Sequence, residues 1–188
     1  MRSFIAIPLK HEISLRLAET QKLLREKINY GISWADPSNA HITLKFLGEI
    51  DELSIPLLNE NLKKITREVQ EFNIICGGLG FFPNIRQPRV VWLGVQQDTR
   101  LIFLQKMIDD TLSDLGFPRD EKRFSPHLTL GRIKQSLTSS ELTMLENQKK
   151  AESLKPLNSM SVNQIVLYKS QLSQKGPEYT KISIFKLG

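Results

Sequence analysis

The chain has 188 residues, 40% of them hydrophobic and 24% charged, with no low-complexity tract. That profile belongs to a folded globular chain of ordinary size and excludes a collagenous, disordered or disulfide-stapled one. Lysine and arginine outnumber aspartate and glutamate by 26 to 20, and the resulting +6 favours encounters with polyanions such as RNA without proving any.

A single cysteine, Cys76, leaves no partner for an internal disulfide or a thiolate metal cluster, and it reads as a small buried apolar residue. No apolar run approaches the ~18 residues of a membrane helix. FIAIPL near the start is too short for a signal-peptide core and is interrupted by Pro8. A cytoplasmic protein is expected.

In chain order, residues 2–8 (RSFIAIP) read as a strand and His11–Ile28 as an amphipathic helix. SWADPSNA (33–40) reads as a loop, HITLKFLG from His41 as a strand, and Asp51–Val69 as a second helix. EFNIICGGLGFF reads as a strand closing the first half; its GGLG is too short for a phosphate loop and marks a bulge or turn. The second half repeats the order, with strand RVVWLGV (89–95), helix Thr99–Leu115, loop FPRDEKRFSP, strand HLTLGRI and a helix over 138–150. Two strands finish the chain, VNQIVLYKS and, after a Lys-Gly-Pro turn, YTKISIF.

Two of the three histidines stand in near-identical phrases, NAHITLKFLG and SPHLTLGR, 86 residues apart at positions 41 and 127. The opening strands, near Phe4 and Val91, are offset by 87. Matching offsets point to a duplicated unit that packs about a pseudo-twofold axis. The expected fold class is therefore α+β, two duplicated lobes facing each other with antiparallel strand neighbours favoured.

Side chains alternate along a strand, so His41 and Thr43 face one way while Ile42 and Leu44 face the core. His127 and Thr129 repeat the arrangement over Leu128 and Leu130, and Pro126 holds Ser125 extended ahead of them. Brought together, two imidazoles and two hydroxyls suit a tetrahedral anion such as phosphate, and two imidazoles suit paired proton transfer. Each phrase offers threonine where zinc or iron would need another histidine, a carboxylate or a thiolate, so no metal and no cofactor is expected. His11 lacks the phrase and reads as a surface residue.

At these residues the sequence resembles the 2H phosphoesterase superfamily and, within it, the RNA 2′,3′-cyclic phosphodiesterases, historically called 2′-5′ RNA ligases. The two His-x-Thr-x signatures are matched by His41-Ile-Thr43-Leu and His127-Leu-Thr129-Leu. RSFIAI, HITLKFLGE, FFPNIRQPRVVWLGV and RFSPHLTLGR carry the similarity along nearly the whole chain. The resemblance implies one domain over 1–188, a bilobal pseudo-twofold α+β fold with antiparallel sheets lining a central cleft and helices on the outside, one lobe centred on His41 and one on His127. It also implies metal-independent hydrolysis of an RNA 2′,3′-cyclic phosphate to a 2′-phosphate. In that scheme His41 donates a proton to the leaving O3′, His127 activates water, and Thr43 and Thr129 hold phosphate oxygens.

Arg132, five residues after His127, stands where the family keeps an arginine near the phosphate. Phe46, five after His41, is a candidate for stacking on a base, although regular alternation puts it on the opposite face unless the strand bulges. Arg86, Arg89, Arg119, Lys122, Arg123 and Lys134 are candidates either for guiding an RNA backbone or for ordinary solvated charge. The implied partner is RNA with a 2′,3′-cyclic phosphate end, or a cyclic nucleotide, bound by a monomer that needs no membrane and no protein partner. Two rival readings stay open: ligation, in which a 5′-hydroxyl replaces water, and a non-catalytic RNA-binding module.

Overall fold

The computed structural model describes residues 1–28, 30–96, 98–155, 157–174 and 176–188. Its elements are β1 (Arg2–Pro8), α1 (His11–Arg25), β2 (Ile32–Trp34), β3 (His41–Glu49), α2 (Ile55–Arg67), β4 (Phe72–Phe82), β5 (Val90–Val95), α3 (Thr99–Asp114), β6 (His127–Ile133), α4 (Ser139–Ser153), β7 (Asn158–Val162), β8 (Gln164–Ser173) and β9 (Gly176–Lys186). Single 3-10 turns at Pro37–Asn39 and Glu52–Ser54 precede β3 and α2. Among the described residues the strands form two antiparallel sheets, ordered β3-β1-β8-β9 and β2-β6-β5-β4-β7.

The sheets are built by exchange between the two halves of the chain. β4 does not close the first half as its place in the sequence suggests; it lies in the five-stranded sheet between β5 and β7. In return β8 and β9, from the second half, complete the sheet begun by β1 and β3. The physical reason lies in the alternation of β4, where Phe72, Ile74 and Cys76 are all buried and need an apolar sheet face on which to continue.

Four smaller departures have local chemical causes. α1 stops at Arg25 instead of Ile28, because the Lys27 and Ile28 amides both turn back to the Leu24 carbonyl. Ser33 and Trp34, expected in a loop, pair with Arg132 and Gly131 as β2. β7 is absent from the sequence reading, since NSMSV is mostly polar and short; it pairs along the outer edge of β4, Ile74 opposite Met160. α4 extends to Ser153, opened by a capping box in which Thr138 and Glu141 satisfy each other's amides. In the Lys-Gly-Pro turn, Lys175 lies outside the described residues, while Gly176 has φ +120°.

One continuous core gathers Ile5 and Ile7 of β1, Ile42 and Leu44 of β3, Val91 and Leu93 of β5, and Leu128 and Leu130 of β6. The helices add Leu17, Leu24, Leu58, Leu62, Leu104 and Ile108 to it at helical spacing. Phe4, Ala6, Val166 and Tyr168 form a separate cluster on the reverse face of the four-stranded sheet, with Tyr179 packed against it. Ile42 is wholly buried directly behind His41. Ile42→Ala is expected to cost about 2–5 kcal/mol, read as a lower urea midpoint with unchanged m-value.

Candidate active site

β3 and β6 belong to different sheets yet run beside each other, their Cα atoms within 8 Å at several positions. Each opens with its histidine. The Nδ1 of His41 lies 2.8 Å from the Asn39 carbonyl, and the Nδ1 of His127 lies 2.7 Å from the Ser125 carbonyl. A carbonyl can only accept, so both Nδ1 atoms carry hydrogen and each neutral ring keeps its lone pair on Nε2. The same bond, to the residue two places earlier, is thus made twice.

Burial pushes the pKa of both rings below the ordinary histidine value. The second-half ring is further depressed by the Arg132 guanidinium, and His41 by the charge of His127. The latter effect places the two imidazoles within electrostatic reach of each other. The backbone hydrogen bonds to Asn39 and Ser125 act in the opposite sense on each ring.

His41 and Thr43 are half-buried on one face while Ile42 and Leu44 are in the core, as alternation requires, and β6 does the same. Beyond Thr43 and Thr129 the alternation breaks. Thr43 pairs with Ala6 and Lys45 with Ile5, leaving Leu44 as an extra residue. In β6, Thr129 pairs with Trp92 and Gly131 with Val91, leaving Leu130 extra. Each is a β-bulge, and each inserts one residue into the alternation. As a result Phe46 and Arg132, both exposed, return to the faces of His41 and His127. The register also sets the repeat at 86 residues, Ile5 corresponding to Val91, one fewer than the strand starts suggest.

Neither threonine hydroxyl has an intramolecular hydrogen-bond partner among the described residues. Phe46 is 63% exposed, its ring 6.2 Å from that of Phe4. Arg132 acts electrostatically on His127 and also on Tyr179 of the other sheet, so its charge reaches both sides of the seam. Arg119 is tied to Asp110 at 2.7 Å. Arg86, Arg89, Lys122 and Lys134 are not buried in the core, and His11 is exposed. Cys76 is buried, its thiol pushed up to about 12 by desolvation.

Sequence reasoning missed the aromatic walls. His41 stacks on Phe4 with centroids 4.6 Å apart and meets Tyr179 edge to face at 5.1 Å. His127 meets Phe82 edge to face at 4.9 Å and leans on Trp92 at 6.2 Å. Tyr168 and Phe82 occupy matching places, 86 residues apart, on the strand exchanged into each sheet. The GGLG segment serves this wall: Gly80 pairs with Trp92, and a Cβ on it would lie 2.1 Å from the indole. The 86-residue repeat, applied to aromatic residues, pairs Phe82 with Tyr168 but matches Phe4, Trp92 and Tyr179 to no aromatic residue.

The family described as LigT like phosphoesterase matches the chain twice in succession, over residues 7–92 and 93–179. An RNA 2′,3′-cyclic phosphodiesterase of Archaeoglobus fulgidus is 35% identical over 99% of this chain and 100% of its own length. The crystal structure of a Thermus thermophilus protein superposes with a TM-score of 0.81 at 27% identity, covering 100% of this chain and 98% of that one. E. coli LigT complexed with 3′-AMP gives a TM-score of 0.75 at 26% identity, covering 99% and 97%.

Because both folded-state histidine pKa values lie below 6.5, the unfolded chain binds protons more readily at these positions. Their contribution to stability is complete above that value and is lost as pH falls from it through the lowered folded values. The urea midpoint is expected to drop between about pH 7.5 and 5.5, and to drop less in a His41→Gln/His127→Gln double variant.

Proposed function

Since the chain belongs to the LigT-like phosphoesterase family, we propose that it hydrolyses RNA 2′,3′-cyclic phosphate ends to 2′-phosphates, using His41 and His127 as an acid and base pair. One observation carries this reading: two imidazoles on adjacent strands, each with Nδ1–H held by a backbone carbonyl and Nε2 left for chemistry. The double match to the family and the shared register support treating residues 1–188 as one domain of two lobes, centred on His41 and His127.

The surroundings support His127 as the base and His41 as the acid. The guanidinium of Arg132 disfavours a second positive charge on His127, which keeps that ring neutral and able to take a proton from water. His41 lies against the face of Phe4, and an aromatic face attracts a cation, so the imidazolium is better supported there once an anionic phosphate is bound. The activated water attacks phosphorus as the P–O3′ bond breaks, and His41 delivers its Nε2 proton to the departing O3′. His127 holds the proton taken from water; exchange with solvent then removes it and reprotonates His41, so the sum over one turnover is water added across the bond.

Thr43 and Thr129, whose hydroxyls are not engaged within the protein, hold equatorial phosphate oxygens from either side. Arg132 offsets the charge that grows on the pentacoordinate phosphorus. Phe46, turned to the His41 face by the bulge, offers its exposed ring to the terminal base. No group of three or more histidine, cysteine, aspartate or glutamate side chains suited to a metal occurs among the described residues. The two histidines carry both proton transfers of the proposed reaction.

His41→Ala and His127→Ala should each lower kcat on a cyclic-phosphate oligonucleotide by about 10²–10⁴ with the fold retained by circular dichroism. Phosphorus NMR should show a 2′-phosphate product, and EDTA should leave the rate unchanged. A joined product in the presence of a 5′-hydroxyl end would instead favour ligation. Arg132→Gln should reduce kcat by about 10–100-fold and KM little, as expected for a charge that acts mainly in the transition state.

A further inference from the structure

The bulge in β3 turns one more side chain away from the seam. Lys45 comes directly after the extra residue Leu44, and its side chain is 0% exposed. Its Nζ donates to the carboxylate of Asp109 on α3, with which it forms an ion pair, and to the Pro118 carbonyl at 2.7 Å. Pro118 belongs to the irregular segment 117–126 that leads into His127. Asp109 also accepts the Asp120 amide at 3.3 Å, so ammonium, carboxylate and loop form one cluster. The segment closes with Ser125 and Pro126, and the Ser125 carbonyl fixes the His127 tautomer.

Stability alone does not explain a lysine here. A buried ion pair is seldom more stable than an apolar pair of the same volume, and removing one partner leaves a buried charge uncompensated. The corresponding residue of β6, 86 positions on, is Gly131, where Ile32 and Trp34 crowd in and the bulge forms with no side chain at all. The fold therefore makes this bulge without an ammonium. What Lys45 adds is a tie from the strand of one histidine to the loop of the other.

We propose that Lys45 is a positioning residue, which sets the spacing of His41 and His127 by clamping the segment 117–126 to β3 through Asp109 and the Pro118 carbonyl. The proposal rests on the acid and base reading of the two histidines. It assigns no contact between Lys45 and substrate; its influence passes through the loop to the Ser125 carbonyl and the His127 ring.

Two variants of the full chain test it: Asp109→Asn, which keeps an acceptor facing the ammonium, and Lys45→Met/Asp109→Leu, which replaces the pair by apolar side chains. Both are expected to fold, the double variant with a melting temperature within ~5 °C of the parent and Asp109→Asn, which leaves the ammonium without its counter-charge, about 6–20 °C lower. Their kcat on the cyclic-phosphate oligonucleotide should fall about 10–100-fold with KM within ~3-fold, because a small misplacement of reacting groups costs rate more than binding. NMR of the imidazole Cε1–H groups should show the His127 signal displaced and the His41 signal less so. Unchanged kcat in the folded variants overturns the proposal. Should Asp109→Asn fail to fold, the double variant decides alone, and parental kcat in it makes the pair a stability element only. If the parent chain proves inert on the cyclic-phosphate end, the activity reading fails separately, and an undisturbed His127 signal in the double variant would then overturn the tie by itself.

Discussion

One extra residue just after each histidine-threonine pair organises the site. Leu44 in β3 and Leu130 in β6 have no partner across the ladder, and each shifts the phase of the side chains that follow, in β3 as far as a second irregularity at Leu47. Without that shift Phe46 and Arg132 would lie on the core side of their sheets, where an arginine has no means of neutralisation. The β6 bulge is itself accommodated by hydrogen bonding. The Leu130 carbonyl accepts both the Ala35 amide and the side-chain amide of Gln21 from α1, so the distorted backbone leaves no acceptor wasted there.

The scaffold is close to symmetric but its chemistry is not. Both rings share the same backbone bond and the same tautomer, which symmetry alone would make interchangeable. Their walls then differ. His41 sits among Phe4, Tyr168 and Tyr179, while His127 sits against Phe82 and Trp92 with an arginine in electrostatic reach. Position 46 carries phenylalanine where position 132 carries arginine, and position 45 carries lysine where 131 carries glycine. The two half-sites thus share their backbone frame and differ in the side chains carried at matching positions.

Exchange of strands has an energetic consequence. β4 finds its hydrogen-bond partners in β5 and β7, and β8 finds its own in β1 and β9, so each sheet needs strands from both halves of the chain. Neither half can satisfy its backbone or bury its apolar faces alone. The histidine strands are consequently held at their distance by the whole fold. The pair Arg16–Glu152, joining α1 to α4 across the halves, adds to the same interlocking.

Much of this was legible in the amino-acid sequence because it depends on short-range periodicity. The strands at Arg2–Pro8 and His127–Ile133, the helix from Thr99, the alternation that sends Ile42 inward and His41 outward, and the pairing of two His-x-Thr phrases are all local patterns. The sequence also states the conditional case for Phe46, since alternation fails only where a strand bulges. Whether it bulges is a matter of which strand lies alongside and in what register, and that is decided between residues far apart in the chain. The same holds for the polar strand β7, whose existence depends on the free edge of β4; for Lys45, whose burial depends on Asp109 and Pro118; and for Gly80, whose lack of a side chain makes room for Trp92. Local chemistry thus determined what each strand presents, while only the tertiary structure decided what it faces, because hydrogen-bond register and side-chain contact are properties of pairs of segments and a one-dimensional pattern holds no record of the pairing.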